Sequence, residues 1–211
     1  AYGWSQMRNH GNLLLKLYAQ ARGQGAEYFG EKHLKSDQWV HTHNVMQRSR
    51  DWWEKQDPDI QKMMTAFTEG FNDYAKENPD ELDELNQLIL SSRPEDCFSH
   101  CQRVILFHFV TNPSVATFNP ASMIKDRGSN TWAIGPSRSE SGNAMLIANP
   151  HLPWSDMFTW FEAHTISHDL NAYGAGLVGM PFLGIAFNDY MGWSHTNNVH
   201  DGQDLYELTL K

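Results

Sequence analysis

The sequence predicts an α+β protein in which helices come first and strands second. Three observations carry this across its 211 residues. Apolar residues recur at helical spacing through residues 1–112, and short apolar runs of strand length fill residues 129–211. Between them residues 113–128, ending in "DRG", are rich in Pro, Ser, Asn and Gly and lack any period. The expected organisation is therefore a helical segment, a connecting spacer and a β-rich segment that begins at Ser129.

In chain order, "LLLKLYAQARGQGAEYFG" is apolar enough for a buried helix, and Gly30 is its expected stop. In "DIQKMMTAFTEGFNDYAKENP" one helical face collects Ile60, Met63, Met64, Phe67, Phe71 and Tyr74, and Pro79 closes the segment. "PDELDELNQLIL" opens a further helix with acidic residues in its first turn. "PEDCFSHCQRVILFHFV" gives the last, with Pro94 suited to its first position. Strands are expected at "TWAIG", "AMLIA", "MFTWFEAHTI", "LGIAF", "MGWSH" and "DLYELTL". The unbroken apolar character of "AMLIA" predicts a central strand covered on both faces.

Composition narrows the function. Hydrophobic residues make up 40% of the chain and aromatics 12%, which excludes a disordered protein. A formal net charge of −9 argues against a nucleic-acid surface, because phosphate binding relies on clustered Lys and Arg. The longest apolar run, "GAGLVGMPFLGIAF", is too short to span a bilayer and is broken by Gly and Pro. No membrane partner and no signal peptide are expected from this chain. Cys97 and Cys101, four apart, have poor geometry for a disulfide within one helix.

Most of the 11 histidines read as packing or surface residues. "HTH" at His41 and His43 lacks the further ligands of a zinc site, and His164 and His168 fall in a segment that reads as strand. "GAGLVG" opens no helix, so it is no dinucleotide fingerprint, and no organic cofactor is expected. Trp52, Trp53, Trp154 and Trp160 read as core or pocket wall. Ser129 carries more specific chemistry. A serine at a chain terminus brings its own base, since an α-amine has a pKa near ~8 and can take the hydroxyl proton. Gly128 before it leaves the carbonyl open to attack by the same hydroxyl. Taken alone, "GSN" reads better as a turn.

The surroundings extend the case. "YGWSQMRNHGNLLLKLYAQARGQGAEYFG", "FTEGFNDYAKENPDEL", "GSNTWAIGPSRSESGNAMLIANPHLPW" and "GWSHTNNVHDGQDLYELTL" occur in the order found in the penicillin acylase family of N-terminal nucleophile hydrolases. The chain resembles that family, which includes acyl-homoserine lactone acylases. The resemblance implies a four-layer αββα fold and a precursor that cuts itself into two chains. It further implies a small acylated amide substrate and a periplasmic or secreted location. It makes this chain a part of the precursor, whose second subunit has a further portion as partner.

Residue by residue, the resemblance implies that the cut falls between Gly128 and Ser129 and that Ser129 is the nucleophile. Asn130 would help to hold it, and His151 would position the amine or assist the cut. The Asn197 backbone N–H would be an oxyanion donor, with His195 lining the pocket beside it. Phe158, Trp160, Phe182 and Phe187 would wall an apolar acyl pocket. Asp201 and Asp204, with the Gln203 carbonyl, match a structural calcium site of some members, calcium favouring such oxygens. The alternative from another class is a noncatalytic, calcium-stabilised binding or assembly module in which "GSN" is a turn.

Overall fold

The computed structural model describes residues 1–105 and 128–196 together with Tyr206 and Thr209. Helix α1, Tyr2–Ala21, runs through the helical part with Leu14, Leu15, Leu17 and Tyr18 wholly buried. It bends at His10 (φ −138°), where the His10 ring meets the edge of Phe161. The helix does not continue to Gly30. It closes at Arg22, and Gly23 turns the chain at φ +75°, with the His41 ring so near that a Cβ would lie 2.7 Å from it. A separate short helix, α2 (Gly25–Phe29), follows, and Gly30 at φ +89° ends that one.

Helices α3 (Leu34–Thr42) and α4 (Val45–Glu54) lead to α5, Pro58–Glu77. The start of α5 is set by Asp57, whose carboxylate accepts the Asp59 N–H at 2.8 Å, and by Pro58 in the first turn. Met64, Phe67, Phe71 and Tyr74 are buried as their spacing predicts, whereas Ile60 and Met63 are exposed. These two sit in the first turns of α5, ahead of its crossing with α1. At that crossing the backbones touch. A Cβ on Gly3 would lie 2.0 Å from the Phe67 carbonyl oxygen, and one on Gly70 would lie 2.8 Å from the Trp4 nitrogen. Two glycines thus let α1 and α5 approach to backbone contact, and Tyr18, Phe67 and Phe71 pack in the core beside them.

The helix expected over residues 79–90 is broken. Residues 79–81 form one tight turn, Leu82 is extended, and only Glu84–Gln87 (α6) is α-helical. Tertiary contacts override local propensity here. Leu82 is buried against Gly11, and the Asp83 N–H donates to Asn12 Oδ1 at 2.9 Å instead of to a helical carbonyl. Helix α7, Pro94–Val104, starts where Pro94 predicts, and the rest of that expected helix lies outside the described residues. Its Asp96, wholly buried, takes both arms of Arg22 at 2.8 and 2.7 Å and the Arg93 N–H at 2.8 Å. Asn72 on α5 exchanges two 2.9 Å hydrogen bonds with the Ser92 backbone, which fixes the approach to α7.

The strands form two antiparallel groups. β1 (Ser129–Ile134) pairs with β2 (Met145–Pro150), while β3 (Trp160–Ile166), β4 (Asn171–Leu177), β5 (Ile185–Phe187) and β6 (Gly192–Trp193) make a four-stranded sheet in that order. β2 is not the doubly covered strand its composition predicts. Trp132, Met145, Leu146 and Ile147 are exposed, and β1 is the only strand paired with β2 among the described residues. The first two residues of the expected "MFTWFEAHTI" strand, Met157 and Phe158, lie instead in a tight turn, Asp156–Phe158. β4 was hidden by its glycines. A Cβ on Gly174 would collide with the Ile185 carbonyl at 2.2 Å and one on Gly176 with the Phe182 carbonyl at 2.3 Å, so close neighbours require them. Trp154 is 95% exposed and Trp52 also faces out, against the expectation of core or wall, while Trp53 packs on the core.

The turn after β4 joins the two parts. Gln6 of α1 donates to the Met180 carbonyl at 3.1 Å and accepts the Gly179 N–H at 2.9 Å. Tyr18 donates to the Gly179 carbonyl at 2.8 Å, and its oxygen lies 3.0 Å from Cys97 Sγ. His100 of α7, wholly buried, donates from Nε2 to the Val178 carbonyl at 3.0 Å. Cys97 and Cys101 are free, and burial lifts the Cys97 thiol well above its ordinary value and Cys101 to about 12. Both stay protonated, so their part is packing rather than redox chemistry. Among the described residues no helix is long and apolar enough to cross a membrane.

Two tests follow. Gly3→Ala must push α1 away from α5 and is expected to cost about 1–3 kcal/mol in urea unfolding. Gly135→Ala, where a Cβ meets nothing within 4 Å, should stay within about 0.5 kcal/mol of wild type. The second concerns His100, whose pKa burial and then the nearby Arg103 charge lower to about 3. The unfolded chain, with an ordinary value near ~6.5, binds more protons between the two values. This contribution to stability is therefore full at neutral pH and declines as pH falls through that window. The urea midpoint of wild type should fall more steeply from about pH 7 to about pH 4 than that of His100→Gln. Equal slopes would show that His100 does not govern it.

Candidate active site

The site forms where the β1–β2 ribbon meets the end of the four-stranded sheet. Ser129 is the first residue of β1, half-buried, and its ladder partner is Pro150, the last residue of β2. That register brings the next residue, His151, to Ser129, and its backbone N–H donates to Ser129 Oγ at 3.4 Å. The His151 ring turns instead to Asn130, whose amide lies 3.3 Å from Nε2. With that amide donating, the ring accepts at Nε2 and its neutral form carries the proton on Nδ1. Asn130 therefore orients the histidine directly and the serine only through it. The neighbouring Gly128 has open space around its α-carbon, so packing places no demand for glycine there.

From the other side comes the segment after β6. Thr196 donates from Oγ1 to the Ser129 carbonyl at 2.8 Å, and Thr131 donates to Ser194 Oγ at 3.0 Å. Gly192 packs so close to β2 that a Cβ would meet Leu146 Cδ2 at 2.8 Å. His195 lies between the two hydroxyl residues and is exposed. Asn197, Asp201, Gln203 and Asp204 lie outside the described residues.

The residues expected to wall an acyl pocket are placed apart. Phe158 is buried with Val104, Leu177 and Met180 at the joint between α7 and β4, and Trp160 packs against the same cluster. Phe182 and Phe187 are exposed on the four-stranded sheet side. An open groove of about 540 Å³ lies instead on the helical part, lined among others by Lys16, Tyr28, Phe29, Lys32 and Asp83. Several of the other described histidines have structural partners. His41 meets the Gly23 carbonyl at 2.9 Å, His43 stacks on Trp39, and His164 meets Asn171 at 2.8 Å. Among the described residues no cluster of three or more His, Cys, Asp or Glu could hold a metal.

Chemically, Ser129 Oγ has a donor in the His151 N–H, and the described residues bring no basic side chain to it. The contacts of Thr131, Ser194, Thr196 and Pro150 could not be read from the sequence, although all four lie in stretches that carry the family resemblance. They acquire meaning once the register is known.

A helical layer packed on antiparallel strands, with a serine opening the first strand and a histidine following the second, is the arrangement to be placed. The whole chain, residues 1–211, matches the penicillin amidase family, and the protein belongs to it. It is similar to the acyl-homoserine lactone acylase PvdQ of Pseudomonas fluorescens, 25% identical over 248 residues that take in 99% of this chain and 31% of that relative. A PvdQ from Pseudomonas putida is 40% identical over 86 residues, covering 40% of this chain and 11% of the relative. The acyl-homoserine lactone acylase QuiP of Pseudomonas aeruginosa is 36% identical over 90 residues, 43% of this chain and 11% of its own. The chain spans about a third of the length of the relatives it matches from end to end, 31% in the first case.

The Asn130 contact can be tested by two-bond ¹H–¹⁵N spectra of the neutral His151 ring. Wild type should show the Nδ1–H tautomer. Asn130→Leu should shift the ring toward Nε2–H, and an unchanged tautomer would remove Asn130 as its orienting group.

Proposed function

We propose that the full-length protein is an amidohydrolase that cleaves the bond between an acyl group and an amine, with Ser129 as a self-released N-terminal nucleophile. The observation that supports this best is the place of Ser129. It opens β1 with its hydroxyl on the His151 N–H, in a chain of the penicillin amidase family. The relatives' names favour N-acylated amines of the acyl-homoserine lactone kind as substrates. A four-layer αββα arrangement, completed by the remainder of the second subunit, is part of the same reading.

The chemistry runs in two stages. In the precursor, Ser129 Oγ bonds to the Gly128 carbonyl carbon, the C–N bond breaks, and the hydroxyl proton ends on the departing nitrogen. Water then cleaves the ester, leaving a carboxylate on Gly128 and a free amine and hydroxyl on Ser129. In turnover that amine takes the hydroxyl proton while Oγ attacks the substrate carbonyl, and the proton passes to the leaving amine. Water cleaves the acyl-serine and restores the site. Donors around the developing oxyanion supply a large share of the rate.

Denaturing gels run beside release of a chromogenic amine test both stages. Ser129→Ala should fold, stay as one chain and release no amine. Ser129→Cys should cut itself at least in part and hydrolyse amides poorly. Acetylating the amine freed by the cut should abolish turnover and leave the cut in place. Normal processing of Ser129→Ala, or full activity with the amine blocked, would return Ser129 to the role of a turn residue and favour a noncatalytic module.

A further inference from the structure

We infer that Thr196 is the positioning residue that holds Ser129 in place for attack, an inference that rests on the nucleophile reading above. The Ser129 carbonyl is a backbone acceptor that needs a donor. Its ladder partner on β2 is Pro150, which has no N–H to give. The donor is the Thr196 hydroxyl at 2.8 Å. This contact is one of a pair. Ser129 pairs with Thr196 and, two residues along, Thr131 pairs with Ser194 at 3.0 Å, so the segment after β6 runs antiparallel beside β1 through side-chain hydroxyls. Gly192 against Leu146 carries the same approach onto β2.

Once the bond to Gly128 is broken, Ser129 is tethered covalently only through Asn130. Among the described residues its hydroxyl meets the His151 N–H at 3.4 Å, its carbonyl meets Thr196 at 2.8 Å, and it stays paired with Pro150. The carbonyl bond holds the Ser129–Asn130 peptide plane, and so the base from which the amine and hydroxyl project. Thr196 touches the far side of the nucleophile and not the reacting atoms, so its loss should slow the chemical step more than it weakens substrate binding.

The test is made in the full-length protein with the chromogenic amide, beside wild type and Ser129→Ala. Thr196→Val keeps the shape and removes the hydroxyl. It should lower kcat by roughly 10- to 10²-fold with KM changed by no more than about twofold, and Thr196→Ser should restore most of the loss. Should the valine variant misfold, Thr196→Ala is measured in its place, since it also lacks the hydroxyl. A valine variant with kcat near wild type, a serine variant as slow as the valine one, or a change confined to KM would each overturn the role of Thr196. An active Ser129→Ala would overturn the nucleophile reading itself, so the two failures are distinct.

Discussion

The fold depends on the buried turn Val178–Gly179–Met180. A turn sunk between two layers has lost water, and the polar groups that no backbone partner serves must find a side chain; the Val178 and Met180 N–H groups are taken by the Thr159 and Leu177 carbonyls. Gln6, Tyr18 and His100 are those side chains, and they come from helices far apart in sequence. Gly179 makes the turn at φ +86°, and the His100 and Tyr18 rings lie so close that a Cβ would meet them at about 3 Å. Burying three polar side chains would be costly anywhere else. Here each is matched to a backbone group that would be orphaned without it, so the two parts of the chain dock in one register. Everything downstream inherits that register, from β5 and β6 to the hydroxyls that reach Ser129.

The helical part was readable because its signal is local. Phe67, Phe71 and Tyr74 recur at the helical period, and they are buried where the period puts them. Reading failed where a distant partner decides. Residues 84–87 alone stay α-helical in an acidic stretch with good propensity, because Leu82 is drawn into the core and Asp83 is held by Asn12. Gly70 and Asn72 could be matched to a family pattern, but the reasons for those residue types are spatial. One lies against Trp4, and the other holds the backbone of Ser92.

The site divides along the same line. Ser129 is singled out in the sequence by the family motifs around it, at the change of texture between helix-like and strand-like sequence, since "GSN" alone reads as a turn. The position of His151 could also be read, but not that its backbone, rather than its ring, meets the hydroxyl. That follows from the pairing of Ser129 with Pro150, and strand register is a property of two segments at once. The contact of Thr196 could not be read for the same reason. "WSHTNN" lies in a stretch that carries the family resemblance, but that its threonine reaches the Ser129 carbonyl at 2.8 Å follows only from the fold.

The β1–β2 ribbon carries a practical consequence. Its apolar side chains Trp132, Leu146 and Ile147 face solvent, and β2 shows an unpaired edge among the described residues. An open edge flanked by apolar groups is a template for adding foreign strands. Produced by itself, this span should be hard to keep dispersed, and its sheet-forming half should be the part that drives it out of solution. Charge offers limited protection, since within residues 129–150 only Arg138 and Glu140 are ionised, and both lie in the loop between the strands. A soluble preparation therefore calls for a longer polypeptide, or for lysines placed on the outer edge of β2.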